Sequence, residues 1–95
     1  MTNRWGDSQA DLPWKDIEQD VKRAIAGTGC RVFVKTNYIY EQIESGNGKY
    51  PTFTGATRKM ALCRITHTLR KRLKWKEHAK SINGNVFIIP KRLRV

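Results

Sequence analysis

Ninety-five residues suffice for one domain with a single small core; such a chain buries roughly 60–65% of the surface its unfolded form exposes. With 39% hydrophobic residues and tryptophans at Trp5, Trp14 and Trp75 it is no disordered tail, and no stretch approaches the ~18 apolar residues that a membrane helix needs. The net charge of +11 is polarised: residues 1–20 hold two basic and five acidic side chains, whereas 56–95 hold twelve basic ones and one acid, Glu77.

Residues 1–12 are polar and aperiodic, a flexible lead-in. Asp11 has the chemistry of a helix cap, and Pro13 suits a first turn. From Trp14 onward Trp14, Ile17, Val21, Ala24 and Ile25 follow helical spacing. Acids early in that helix and Lys22 and Arg23 late suit its dipole, and Gly27 and Gly29 are expected to end it. Residues 30–35 alternate and are rich in β-branched side chains, so they read as a strand. Thr36 is a candidate N-cap for a second helix over 37–45, stopped by Gly46. Residues 46–55, dense in Gly, Pro and Thr, form a loop.

The spacing predicts a third helix over 60–73 with Leu62, Ile65, Leu69 and Leu73 on its core stripe, capped by Thr54 or Thr57. At about 100° per residue the opposite side carries Thr57, Met60, Arg64, His67, Thr68 and Lys71. Two strand-like runs follow, 74–80 and 86–90, and Asn83-Gly84 between them is a strong hairpin signal. Trp75, Phe87 and Ile89 are the strand residues expected to face the core. The chain closes on a basic tail, 93–95.

The order helix, short strand, helix, turn, longer helix, hairpin resembles that of the winged helix-turn-helix family over about 13–92. The resemblance implies an α+β domain of three helices packed with a short strand and a C-terminal β-hairpin wing. More narrowly, the run Leu69-Arg70-Lys71-Arg72-Leu73-Lys74-Trp75-Lys76, followed by Ile82-Asn83-Gly84-Asn85-Val86-Phe87, is similar to the winged-helix tails of phage and virus primase-helicases. No Gly-rich phosphate loop accompanies it, so DNA binding is implied and helicase activity is not.

By that resemblance the third helix enters the major groove, which is wide enough to admit one. Carried over by position, the reading residues are Thr57, Arg58, Arg64, His67, Thr68 and Lys71, with Arg64 the choice for a two-bonded guanine contact. Lys74, Lys76 and Lys80, with Ser81 and Asn83 near the hairpin tip, are placed to grip phosphates or probe the minor groove, and Lys91 and Arg92 to extend the contact. Each has a blander role: a solvated helix face, or edge lysines that block aggregation. The partner so implied is double-stranded DNA, read by a small transcriptional or replication-linked regulator of viral or mobile-element type. Trp5 and Trp14 either pack on the core or present a patch to a second copy, giving a homodimer. One rival reading is an RNA or single-strand binder that stacks bases on Tyr38, Tyr40, Tyr50 and Phe53. The other is a protein-interaction module that inhibits a host factor through Trp5 and the acidic lead-in.

Nothing calls for catalysis, a cofactor, a metal or a small-molecule ligand. His67 and His78 stand apart with no acid near His67. Cys63 and His67 share i,i+4 spacing, yet Cys63 borders the apolar stripe and reads as filler. Cys30, Cys63, His67 and His78 lack the close Cys pair of a structural zinc site. No secretory signal is visible, so the expectation is a cytoplasmic protein, in the host cytoplasm or nucleoid if viral, with reduced, partly shielded thiols.

Overall fold

Helix α1 (Trp14–Thr28) opens a computed structural model that describes residues 12–46, 48–81 and 84–93. Ile17, Val21, Ala24 and Ile25 recur every three or four positions, which puts them on one face, and all are buried. Asp20 falls on the same face and is buried with them. The N-cap position is Pro13, which offers no side-chain bond; Asp11 lies outside the described residues. The two glycines expected to end α1 do different things. Gly29, at φ 76°, takes the left-handed conformation that stops a helix. Gly27 stays inside α1, where a Cβ would lie 2.6 Å from Nε2 of Gln42 on helix α2 (Thr36–Gly46).

Strand β1 is shorter than its apolar pattern, only Phe33–Lys35. Helix α2 begins directly at Thr36, but Thr36 is not an exposed cap. It is buried, and its hydroxyl accepts the N–H of Asn85 at 3.2 Å, tying the start of α2 to a strand near the end of the chain. α2 buries Ile39 and Ile43. The loop beyond it contains a 3₁₀ turn, Pro51–Phe53, and sends Tyr50 and Phe53 into the core.

Helix α3 (Arg58–His67) is capped by Thr57, whose hydroxyl accepts the Met60 N–H at 3.2 Å. It continues as a wider π turn, Thr68–Arg72, in which the Leu73 N–H reaches the Thr68 carbonyl. Lys74 then adopts φ 56°, a left-handed position usually filled by Gly or Asn, and the Trp75 N–H bonds the Leu69 carbonyl. β2 (Glu77–Ser81) and β3 (Gly84–Ile88) complete a three-stranded antiparallel sheet in the order β1-β3-β2. Ser81 pairs with Gly84, so the link is residues 82 and 83, one position earlier than the Asn83-Gly84 signal; both lie outside the described residues. Among the described residues the architecture is therefore α+β, three α-helices and one small sheet. Trp75, Phe87 and Ile89 are buried as expected, although Trp75 precedes β2 and Ile89 follows β3.

Candidate nucleic-acid interface

The placement of α3 depends on a carboxylate at the other end of the chain. Asp20 is 4% exposed and accepts both the N–H (3.2 Å) and the hydroxyl (2.7 Å) of Thr52, as well as a bond from Arg23. Arg23 also donates to the Lys49 carbonyl at 2.6 Å and lies over the Tyr50 ring. On the far side of Thr52, its carbonyl accepts from Arg64 Nη1 at 2.6 Å. One buried acid thus holds the loop between α2 and α3, and that loop holds α3 through Arg64. At the other end of α3, Arg72 Nε donates to Glu18 of α1 at 3.2 Å.

These bonds correct the orientation expected for the third helix. Its buried residues are Ala61, Ile65, Thr68 and Leu69; Leu62 and Leu73 are only half-buried. Thr68 is fully buried and donates its hydroxyl to the Arg64 carbonyl at 2.8 Å, so it is not on the outward side. Arg64 is half-buried and engaged with Thr52, which takes away the free guanidinium expected to read a base. His67 is half-buried against the Trp14 ring, 4.4 Å between centroids, and this burial, with Arg72 and Lys71 nearby, lowers its pKa below the ordinary histidine value. With the core direction set by Ala61 and Ile65, the side pointing away carries Lys59, Cys63 and the Trp14-packed His67, with exposed Met60 and half-buried Thr66 at its edges. Sequence reasoning missed Lys59 because a stripe drawn through the leucines is rotated from the true one. The available signal was Ala61, at i,i+4 spacing from Ile65 and small enough for close helix packing.

The other expected contacts sort more simply. Thr57 caps α3 and is exposed. Arg58 is exposed beside the Tyr40 ring at 5.7 Å, and the Tyr40 phenol is pushed up chiefly by its hydrogen bond to Glu44. Lys71, Lys74 and Lys76 are exposed where α3 runs down to β2, and Lys91 and Arg92 are exposed on a 3₁₀ turn, Lys91–Leu93. Lys80 and Ser81 sit on β2, opposite Asn85 and Gly84. Asn83 lies outside the described residues. Arg70 is drawn to Glu77 and Arg72 to Glu18. By contrast Arg58, Lys59, Lys71, Lys74, Lys76, Lys91 and Arg92 form no ion pair with any described residue.

Comparison with known protein families, curated proteins and solved structures finds no match for this chain. Two of the four aromatics offered as base platforms, Tyr50 and Phe53, belong to the core, and Tyr40 is half-buried; only Tyr38 is exposed. Trp14 packs on the core against His67, which answers for one of the two tryptophans; Trp5 lies outside the described residues. Cys30 and Cys63 are unpaired and half-buried. No helix among the described residues is long and apolar enough to cross a membrane.

Proposed function

We propose that this protein binds double-stranded DNA as a winged helix, in the role of a small transcriptional or replication-linked regulator. The observation that carries the reading is the set of exposed cations, without an ion pair to any described residue, at the two ends of α3 and on the approach to the hairpin. Arg58 and Lys59 stand at its start, and Lys71, Lys74 and Lys76 follow its end. Cations left unneutralised around one helix attract phosphate, and release of the condensed counterions drives association. In this arrangement Lys59 and Cys63, flanked by Met60 and Thr66, face base edges in the major groove. The flanking cations hold the backbone, which sets register without reading sequence. The β2–β3 hairpin lies along the neighbouring backbone, with Lys91 and Arg92 adding charge.

Cys63 offers a direct test, because it sits in the middle of the docking side. In a Cys30→Ser background a bulky maleimide on Cys63 should cost at least about tenfold in duplex affinity, roughly 1.4 kcal/mol. Bound duplex should in turn slow the modification. Cys63→Ser should stay within about threefold, since serine is close in size to cysteine and leaves the shape of the docking side unchanged. An adduct that remains folded by circular dichroism and binds duplex as tightly as the free thiol would show that α3 is not the docking helix.

A further inference from the structure

The side of the sheet turned away from the core carries chemistry that the α3 reading does not use. Val34 and Phe87 face each other in register and are 1% and 0% exposed, so alternation puts Phe33, Lys35, Val86 and Ile88 on the outer side. Phe33 is 46% exposed there. Its ring meets that of His78 at 4.7 Å between centroids, tilted by 36°. Phe33 belongs to β1 and His78 to β2, the two outer strands, so the pair bridges the middle strand β3. His78 is aimed there by a bulge: Glu77 pairs with Phe87 and Ala79 with Val86, leaving His78 as the extra residue.

A single exposed phenylalanine needs no explanation. An aromatic pair spanning three strands, with Val86 and Ile88 beneath it, presents an extended π surface. Its surroundings are cationic. Lys35 follows Phe33 on the same side, with its ammonium 5.6 Å from the Tyr38 ring centre. Arg31 and Lys76, each two residues before one of the paired rings, are exposed. The acid of β2, Glu77, lies in register with inward-facing Phe87 and accepts from Arg70 of the π turn after α3. A second copy docked on this side would set like charges against each other. Unpaired nucleobases match it on both counts, since every base has a π face and every linkage brings a negative charge.

We propose that the outer face of the sheet, centred on Phe33 and His78, stacks the unpaired bases of a single-stranded nucleic-acid segment whose phosphates meet Arg31, Lys35 and Lys76. Lys76 also belongs to the cations that follow α3, so the two sites are told apart at Phe33, which the α3 reading does not use. Fluorescence anisotropy would be measured with labelled oligothymidine, a blunt duplex, and the same duplex carrying a thymidine overhang. Wild type should bind the overhang duplex more tightly than the blunt one. Phe33→Ala should lose about tenfold in affinity for oligothymidine, within the range measured for one stacked base, and keep its blunt-duplex affinity within about twofold. Phe33→Trp should restore the oligothymidine affinity, which a role in folding alone does not require. Absence of oligothymidine binding by wild type, or a Phe33→Ala variant that binds it unchanged, overturns the proposal. So does a wild-type dimer that Phe33→Ala converts to monomer, because the face would then be a self-association surface. Failure of blunt-duplex binding with Phe33-dependent oligothymidine binding intact overturns the α3 reading and supports this one.

Discussion

Asp20→Ala should be the most damaging substitution of a charged residue, and the structure sets its size. The carboxylate accepts two bonds from Thr52 within a site that is 4% exposed, and a third from Arg23. Arg23 is half-exposed, so its ion pair adds no more than about 1 kcal/mol. The two Thr52 bonds run to a charged acceptor, and with allowance for relaxation of the loop they add about 2 kcal/mol more. The expected loss is thus about 3 kcal/mol, a large share of the roughly 5–14 kcal/mol that a domain of this length has. The melting temperature should fall by about 12–20 °C. Asp20→Asn keeps the shape and one acceptor and should lose about half as much. Urea titration followed by tryptophan fluorescence and far-ultraviolet circular dichroism measures both. Thr52→Val completes a double-mutant cycle, for which a coupling of at least about 1 kcal/mol is expected. A loss below about 0.5 kcal/mol for Asp20→Ala, or strict additivity with Thr52→Val, would refute the claim that this acid holds the loop and, through Arg64, α3.

Duplex affinity should fall with salt along a log–log slope near −4.5, as for about five neutralised phosphates; a slope near zero would mean that the free cations do not meet phosphate. His67 has a folded-state pKa lowered by burial, so the unfolded chain takes up its proton first as the solution is acidified. Its contribution is therefore intact at neutral pH and is lost as pH falls below about 6.5, and thermal melts of His67→Gln should depend less on pH in that range than those of wild type. Gly29→Ala should cost about 1 kcal/mol from backbone strain alone, since its φ is 76° and no atom lies within 4 Å of the added Cβ; a neutral result in urea would contradict the left-handed stop.

Local chemistry was legible in the residues themselves. The stripe Ile17, Val21, Ala24 and Ile25, the stop at Gly29, the α2 core positions and the inward Trp75, Phe87 and Ile89 follow from spacing and turn chemistry, because each depends on near neighbours. The polarised charge was equally plain, as was the α+β order of elements. The rotation of α3 was not. Ala61 and Thr68 displace Leu62 and Leu73 from its core side because small side chains admit close approach, and the Thr68 hydroxyl satisfies itself on the Arg64 carbonyl. The π turn that follows moves later residues off the regular helical register, and no periodicity drawn from leucines alone can anticipate it. Pairings between distant segments were likewise decided only in three dimensions: Asp20 with Thr52, Thr36 with Asn85, and Phe33 with His78. Sequence by itself thus determined the type and order of the helices and strands, since those preferences are local, while their exact bounds moved by several residues. Tertiary packing decided which side of α3 meets solvent and which cations have no ion pair among the described residues, because both depend on partners far along the chain.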